Sequence, residues 1–225
     1  MPGLICDLSV WDAVLEGWSH GYKAVVADTT IDDSITAMAD RILSSITGPF
    51  AIAGVSMGGY VTLEVLKKAK ERVTHFALLD TNAHGDSPET ILQREQAINM
   101  AENGQYLDYI IPAIKNMALG KSSLKNNKLV KNITDMAANV GPKCFIRQTR
   151  AIKERPDLSH ILPQCQQPAL VLYCEEDLLS TPEDHIAMVN LLPNAVLEVI
   201  KGCGHSSPVE KPCEVQKALV NLLNR

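Results

Sequence analysis

Three side chains far apart in the chain, Ser56, Asp177 and His205, are of the types that together transfer acyl groups. Ser56 lies in "AIAGVSMGGYVTLE", residues 51–64, crowded by Gly54, Gly58 and Gly59. Glycine in regular structure costs about 0.5–1 kcal/mol relative to alanine, so this cluster implies a very sharp turn or a close backbone approach. Gly54-Val55-Ser56-Met57-Gly58 is a G-x-S-x-G element between an apolar run, Phe50–Ala53, and a helix-like run. On a strained strand-to-helix turn of this kind, the hydroxyl stands exposed at the C-terminal rim of a sheet. A plain tight turn is the bland alternative.

A serine hydroxyl is a poor nucleophile at neutral pH; it needs an adjacent base, which in turn needs orienting. Six histidines are available, at 20, 75, 84, 160, 185 and 205. His205 stands out because Gly202-Cys203-Gly204-His205-Ser206 is a small-residue loop directly after the β-rich run Ala195–Ile200. For the acid, Asp177 follows the run Ala169–Cys174 within "CEEDLLSTPEDH". Asp80 is the serious competitor, and Glu175, Glu176 and Asp184 lie nearby. Cys203 has no second base placed for it. Arg147 and Arg150 can be imagined on an acidic substrate, but surface ion pairs are the commoner use of such residues.

The elements that must position these groups follow from periodicity. Short β-rich runs at Tyr22–Ala27, Phe50–Ala53, Thr74–Leu79, Ala169–Cys174 and Ala195–Ile200 alternate with amphipathic stretches. That alternation predicts βαβ units and a mainly parallel sheet with helices on both faces, an α/β fold. Helices are expected after Ile31, with Gly48-Pro49 beyond the end, after Ser56, and from Pro212. From about 81 to 167 there is no convincing strand but several helical segments, including 89–102 and 126–138. This stretch reads as a helical lid inserted into a core made of 1–80 and 168–225.

The 225 residues carry a formal net charge of −5 and 46% hydrophobic residues, enough for one domain with a sizeable core. This balance gives no footprint for nucleic acid, and no apolar run reaches the ~18 residues of a membrane span. No metal-type CxxC pairing occurs among the six cysteines, which are expected to be free thiols in a cytoplasmic protein. No metal or organic cofactor is expected.

These motifs together resemble the α/β-hydrolase fold family, in particular its small lid-bearing esterase-like members. The likeness spans nearly the whole chain: "PGLICDLSVW", "GVSMGG", "LLDTNA", "EEDLLSTPEDH" and "GCGHSSPVEKP". It implies Ser56 as nucleophile, Asp177 as acid and His205 as base, with the backbone N–H groups of Leu4 and Met57 as the oxyanion hole. The implied activity is cleavage of a small carboxylic ester or thioester through an acyl-enzyme. Acyl transfer, haloperoxidase-like or lyase chemistry on the same three residues, and a non-catalytic binding protein on the same scaffold, are the alternatives.

One departure from the family pattern stands out. A central strand normally precedes the turn matching Pro2-Gly3-Leu4, between the strands matching Tyr22–Ala27 and Phe50–Ala53, yet only Met1 stands there. Three readings compete, a mis-assigned start, a trimmed end and a protein that tolerates the loss, and the first two are favoured. A sheet without that strand is expected to show a gap of roughly 10 Å or re-paired flanking strands. Leu4 would then sit on a frayed end as a poor oxyanion donor, in a chain less stable or less active than a longer one.

Overall fold

Four of the five expected strands form, and all four run parallel. In the computed structural model, which describes residues 1–18 and 21–225, they are β1 (Phe50–Val55), β2 (Val73–Leu79), β3 (Ala169–Cys174) and β4 (Ala195–Ile200), hydrogen-bonded in that order. The registers pair Val55 with Leu79, Leu79 with Leu172, and Cys174 with Ile200. The strands therefore end at one rim. The residues that follow them, at 56, 80, 175–177 and 201–205, are delivered to that rim.

Helices cover both faces, which is why β2 and β3 read as continuous apolar runs rather than alternating ones. The helices are α1 (Asp12–Leu15), α2 (Ile35–Ser45), α3 (Met57–Ala69), α4 (Pro88–Glu102), α5 (Ile111–Ala118), α6 (Asn127–Lys153), α7 (Pro182–Leu191), α8 (Ser207–Glu210) and α9 (Pro212–Leu223). Phe76, Leu78 and Val171 point to the layer that holds α2, α3 and α7. Ala77, Leu79, Leu170 and Leu172 point to the layer that holds α1 and α9. Local signals start the helices where expected: the Ser34 and Ser87 side chains accept from Ala37 and Thr90 N–H, and Pro88, Pro182 and Pro212 occupy first-turn positions.

No strand occurs between Leu79 and Ala169. The helices α4, α5 and α6 fill this stretch and close over a small core of their own, including Tyr106, Ile110, Ile111 and Phe145. The expected helix 126–138 is only the first half of α6. Gly141, at φ 77°, and Pro142 bend the chain once, and the helix resumes to Lys153. A left-handed glycine followed by a proline at a first helical position makes a kink, not a stop.

Tyr22–Ala27 forms no strand, contrary to expectation. It has suitable residue types, but a strand needs a neighbour to satisfy its backbone, and β1 ends the strand order. The free edge of β1 is bonded instead by Met1, whose nitrogen donates to Ala53 O at 2.7 Å and whose carbonyl accepts from Val55 N–H at 3.2 Å. On that side β1 pairs with no other strand. No helix among the described residues is long and apolar enough to cross a membrane.

Candidate active site

The turn at Ser56 explains its glycines. Ser56 has φ 53° and ψ −120°, a conformation that costs a non-glycine residue about 1–3 kcal/mol. A Cβ on Gly54 would run into the Gly58 carbonyl, one on Gly58 into the Met1 backbone, and one on Gly59 into the Thr81 side chain. The backbone is pinned from both sides: Ser56 N–H donates to Leu79 O at 2.9 Å, and the Thr81 hydroxyl donates to Ser56 O at 2.9 Å. The β1–α3 connection is thus compressed into one residue, and its hydroxyl stands above the rim.

Ser56, His205 and Asp177 meet there. Ser56 Oγ lies 2.7 Å from His205 Nε2, and His205 Nδ1 lies 2.8 Å from Asp177 Oδ2. With the ring neutral, Nδ1–H donates to the carboxylate and Nε2 is left to accept from the serine hydroxyl. Asp177 is fixed in turn: Oδ1 accepts from the N–H groups of Leu179 and Ser180, and Oδ2 accepts from the Ser180 hydroxyl at 2.5 Å. The His205 loop is held by Glu210, which accepts from Gly204 N–H at 2.9 Å and from Gly120 N–H at 3.0 Å.

The electrostatics fit this order. Burial opposes the imidazolium of His205, but the charge and hydrogen bond of Asp177 outweigh it, and the pKa is raised. Burial likewise opposes the Asp177 carboxylate, but His205, Ser180 and Leu179 together hold it below the ordinary aspartate value. Asp80, the competing acid, lies fully buried beside them. Its Oδ2 accepts from Ser207 N–H at 3.3 Å, Oδ1 has no partner among the described residues, and burial pushes the carboxyl up to about 7.

The other candidate acids have separate duties. Glu175 accepts from Gly202 N–H at 3.2 Å, Glu176 from Lys121 N–H at 2.6 Å, and Asp184 caps α7 and pairs with His84 at 3.0 Å. His185 is buried and held neutral: Nδ1–H donates to Thr181 O and Nε2 accepts from Thr81 N–H. His20 lies outside the described residues. Cys203 is buried with its thiol pKa raised, the state of an inert cysteine. Arg150 pairs with Glu102, and Arg147 donates to Thr30 O.

The two expected backbone donors, Leu4 and Met57, have no hydrogen-bond acceptor for their N–H groups among the described residues. The turn that carries Leu4 is not frayed. Cys6 N–H donates back to Gly3 O, Gly3 packs against the Ser56 side chain, and Ile5, at φ 54°, donates its N–H to Gln148 Oε1 at 2.9 Å. Gln148 is wholly buried on α6 and donates through Nε2 to Thr29 O at 3.0 Å. Sequence reasoning missed Gln148. The one available signal was a polar residue on the apolar face of a helix, and only contacts 143 residues apart in the chain give it meaning.

Above Ser56 and His205 lies a cavity of about 440 Å³, walled by the Gly3–Cys6 turn, by α4, α5 and α6, and by Leu178 and Leu179. A pinned serine in hydrogen-bond line with a histidine and a carboxylate, on the rim of a parallel sheet, defines a class. Residues 15–218 match the alpha/beta hydrolase family, and the chain belongs to it.

Several solved and characterised proteins are similar. A thermophilic esterase from Thermogutta terrifontis, solved with malate bound, is 26% identical with a TM-score of 0.89, over 99% of this chain and 87% of that one. An enol-lactonase from Burkholderia xenovorans LB400 shares the fold at 19% identity with a TM-score of 0.85, over 99% of this chain and 89% of that one. The pimeloyl-[acyl-carrier protein] methyl ester esterase of Nitrosomonas europaea is 23% identical, over 92% of this chain and 87% of that protein. The relatives are hydrolases and esterases.

Proposed function

We propose that this chain is a serine hydrolase that cleaves small carboxylic esters or thioesters through an acyl-enzyme. The observation that carries the reading is the unbroken line Asp177–His205–Ser56, with contacts of 2.8 and 2.7 Å, opening directly into the cavity. Ser56 Oγ attacks the acyl carbonyl while His205 Nε2 takes its proton. Asp177 keeps the ring in the right tautomer and stabilises the imidazolium. The negative charge on the former carbonyl oxygen is received by the N–H groups of Leu4 and Met57, each such donor being worth about 2.7–4 kcal/mol in the transition state.

Collapse of the tetrahedral intermediate expels the alcohol or thiol, which leaves with the proton held by His205. Water then repeats the sequence on the acyl-enzyme, with His205 again as base, and releases the acid. The helices α4, α5 and α6 act as the lid that shapes the acyl site, the use such elements have above strand ends. The esterase names of the relatives from Thermogutta terrifontis and Nitrosomonas europaea support ester chemistry.

The test is turnover of p-nitrophenyl esters of graded length beside acyl thioesters, with labelling by a fluorophosphonate. Ser56→Ala is expected to lower ester turnover about 10⁴- to 10⁶-fold and to abolish labelling. Wild-type turnover in the purified S56A variant excludes Ser56 as the nucleophile.

A further inference from the structure

The end of α5 is tied to the loop that carries His205. Ser206 N–H donates to Ala118 O at 3.0 Å, and a Cβ on Gly120 or on Gly204 would run into the backbone of the other, so the two turns lie chain against chain. Lys121 N–H donates to Glu176 Oε2 at 2.6 Å, which brings the turn that leads to Asp177 into the same corner. One side of this corner lines the cavity with Ala113, Ile114 and Met117 of α5, and the other lines it with His205 and Ser206.

Glu210, the last residue of α8, closes the corner with one carboxylate oxygen on each side. Oε1 accepts from Gly204 N–H at 2.9 Å and faces the Cys203 thiol at 3.8 Å, and Oε2 accepts from Gly120 N–H at 3.0 Å. Hydrogen bonds to an ionised group are about twice as strong as those between neutral groups. A base that must meet Ser56 Oγ at 2.7 Å tolerates little drift, since a misplacement of about 1 Å can cost on the order of 10²-fold in rate.

Glu210 also acts on His205 as a charge. The groups around the imidazole are Asp177 from the turn after β3, Asp80 after β2, Glu210 from α8 and the neutral His185 of α7. Each carboxylate, when ionised, favours the imidazolium. Loss of the Glu210 charge and loss of alignment with Asp177 therefore move the titration of His205 the same way, to lower pH.

We propose that Glu210 is a positioning residue: by bridging Gly120 and Gly204 it holds the end of α5 to the loop of His205, keeps the imidazole in line with Ser56, and makes the α5 wall and the base move as one body. Its kinetic consequence rests on the ester-hydrolase reading above, and the test separates the two.

Two measurements are made on each variant: p-nitrophenyl ester kinetics across pH, and the titration midpoint of His205 by NMR of its imidazole C–H protons, assigned by their loss in His205→Gln. Glu210→Gln, whose amide accepts from only one of the two N–H groups, is expected to lower kcat about 10- to 100-fold with KM within about threefold. It is also expected to move the midpoint to lower pH. Glu210→Asp keeps the charge and is expected to restore the midpoint and part of kcat. Gly120→Ala, which pushes the two turns apart and leaves the carboxylate in place, is expected to lower kcat as well. Combined in E210Q/G120A, the two losses are expected to fall short of their product, as for changes that break one contact.

A midpoint in folded E210Q equal to that of the parent overturns the proposal, as does a lowered melting temperature with kcat intact, the mark of a merely structural tie. Losses that multiply in full in the double variant overturn the coupling of α5 to His205. Where E210Q does not stay folded, E210D and G120A carry the same measurements. A midpoint that moves in E210Q and returns in E210D, in a protein that turns over no ester, leaves Glu210 its role and defeats the hydrolase reading. Ester turnover with kcat and midpoint both untouched by E210Q does the reverse.

Discussion

The sheet rim and the helices above it place their side chains by different means. At the rim, Ser56 sits where backbone packs on backbone: Gly54 against Gly58, Gly58 against Met1, Gly120 against Gly204. The groups that orient Asp177 and the His205 loop are mostly N–H donors of neighbouring turns. In the segment between β2 and β3, position is set by side chains meeting side chains, as in Arg94–Asp86, Arg150–Glu102 and Lys153–Glu95. Backbone packing has one solution and resists drift, whereas pairs of long side chains re-form in several. Chemistry that needs atoms fixed to a few tenths of an ångström belongs on the first kind of support. Substrate selection, which needs adaptable walls, belongs on the second.

If that division holds, rim substitutions act on kcat and wall substitutions act on KM. The largest effect after loss of Ser56 itself is expected for Asp177→Asn. The amide oxygen still accepts from Leu179 and Ser180 N–H, but the amide N–H then donates to His205 Nδ1, so the ring carries its proton on Nε2 and can no longer accept from Ser56. Turnover is expected to fall about 10⁴-fold with the melting temperature little changed, as measured by ester kinetics and calorimetry. Loss of less than tenfold transfers the acid role to Asp80, the other carboxyl at the rim.

Gln148 sharpens the comparison, because it reaches from α6 to the Gly3–Cys6 turn at the rim. Gln148→Ala is expected to lower kcat about 10- to 100-fold with KM nearly unchanged, since the Ile5 anchor holds the turn that carries Leu4, the oxyanion donor proposed above. Gln148→Glu keeps the acceptor for Ile5 N–H but loses the donor to Thr29 O, and is expected to recover part of kcat. A purely structural role predicts a lower melting temperature in both variants with kcat intact.

The pH dependence of the rim has opposite signs for rate and for stability. The base role proposed for His205 requires a neutral ring, and its pKa is raised above the ordinary 6.5, so kcat/KM is expected to climb through a limb lying above pH 6.5. Stability runs the other way. The favourable pairing of imidazolium with Asp177 is fully present below 6.5 and is lost as pH rises through the higher folded value. Asp80 adds to this: its carboxyl keeps a proton up to about 7 when folded but only to 3.8 when unfolded, so ionising it across that window destabilises the fold. Asp80's own share of the unfolding free energy is expected to decline between about pH 4 and 7, against the opposite trend of the buried Met1 amine and His185, so Asp80→Asn is expected to gain stability relative to the parent as pH rises through that window. A stability difference between the two proteins that does not change with pH removes Asp80 as an ionisable group under strain.

How far the sequence discloses each region follows the same physics. The elbow is legible because glycines at 54, 58 and 59 leave a local signature of a close approach, and His205 because it sits between small residues just past a strand. Strand β3 and the Phe76–Leu79 half of β2 are legible because burial on both faces makes them apolar without a break. Tyr22–Ala27 misleads for the complementary reason: strand propensity is local, but a strand exists only with a partner, and partnership is a tertiary fact. Gln148 is silent in the sequence because its meaning depends on which loops α6 faces. The second half of α6 was hidden by Gly141-Pro142, breakers in most contexts and a kink here.

The smallest expected effect tests the wall at its outer surface. Arg150 and Glu102 form a 2.6 Å pair between α6 and α4, but their side chains are 52% and 46% exposed. An exposed pair gains little in high dielectric and loses side-chain entropy when held in one geometry. Arg150→Ala is therefore expected to shift the melting temperature by no more than about 2 °C and to leave kcat and KM within about twofold. A larger loss at Arg150 would mean that α4 is held over the cavity by its surface pairs rather than by the buried contacts of Ile98, Ala101 and Phe145. The contrast between a rigid rim and an adaptable wall would then extend to the lid as a whole, which would open as a unit when its outer ties are cut.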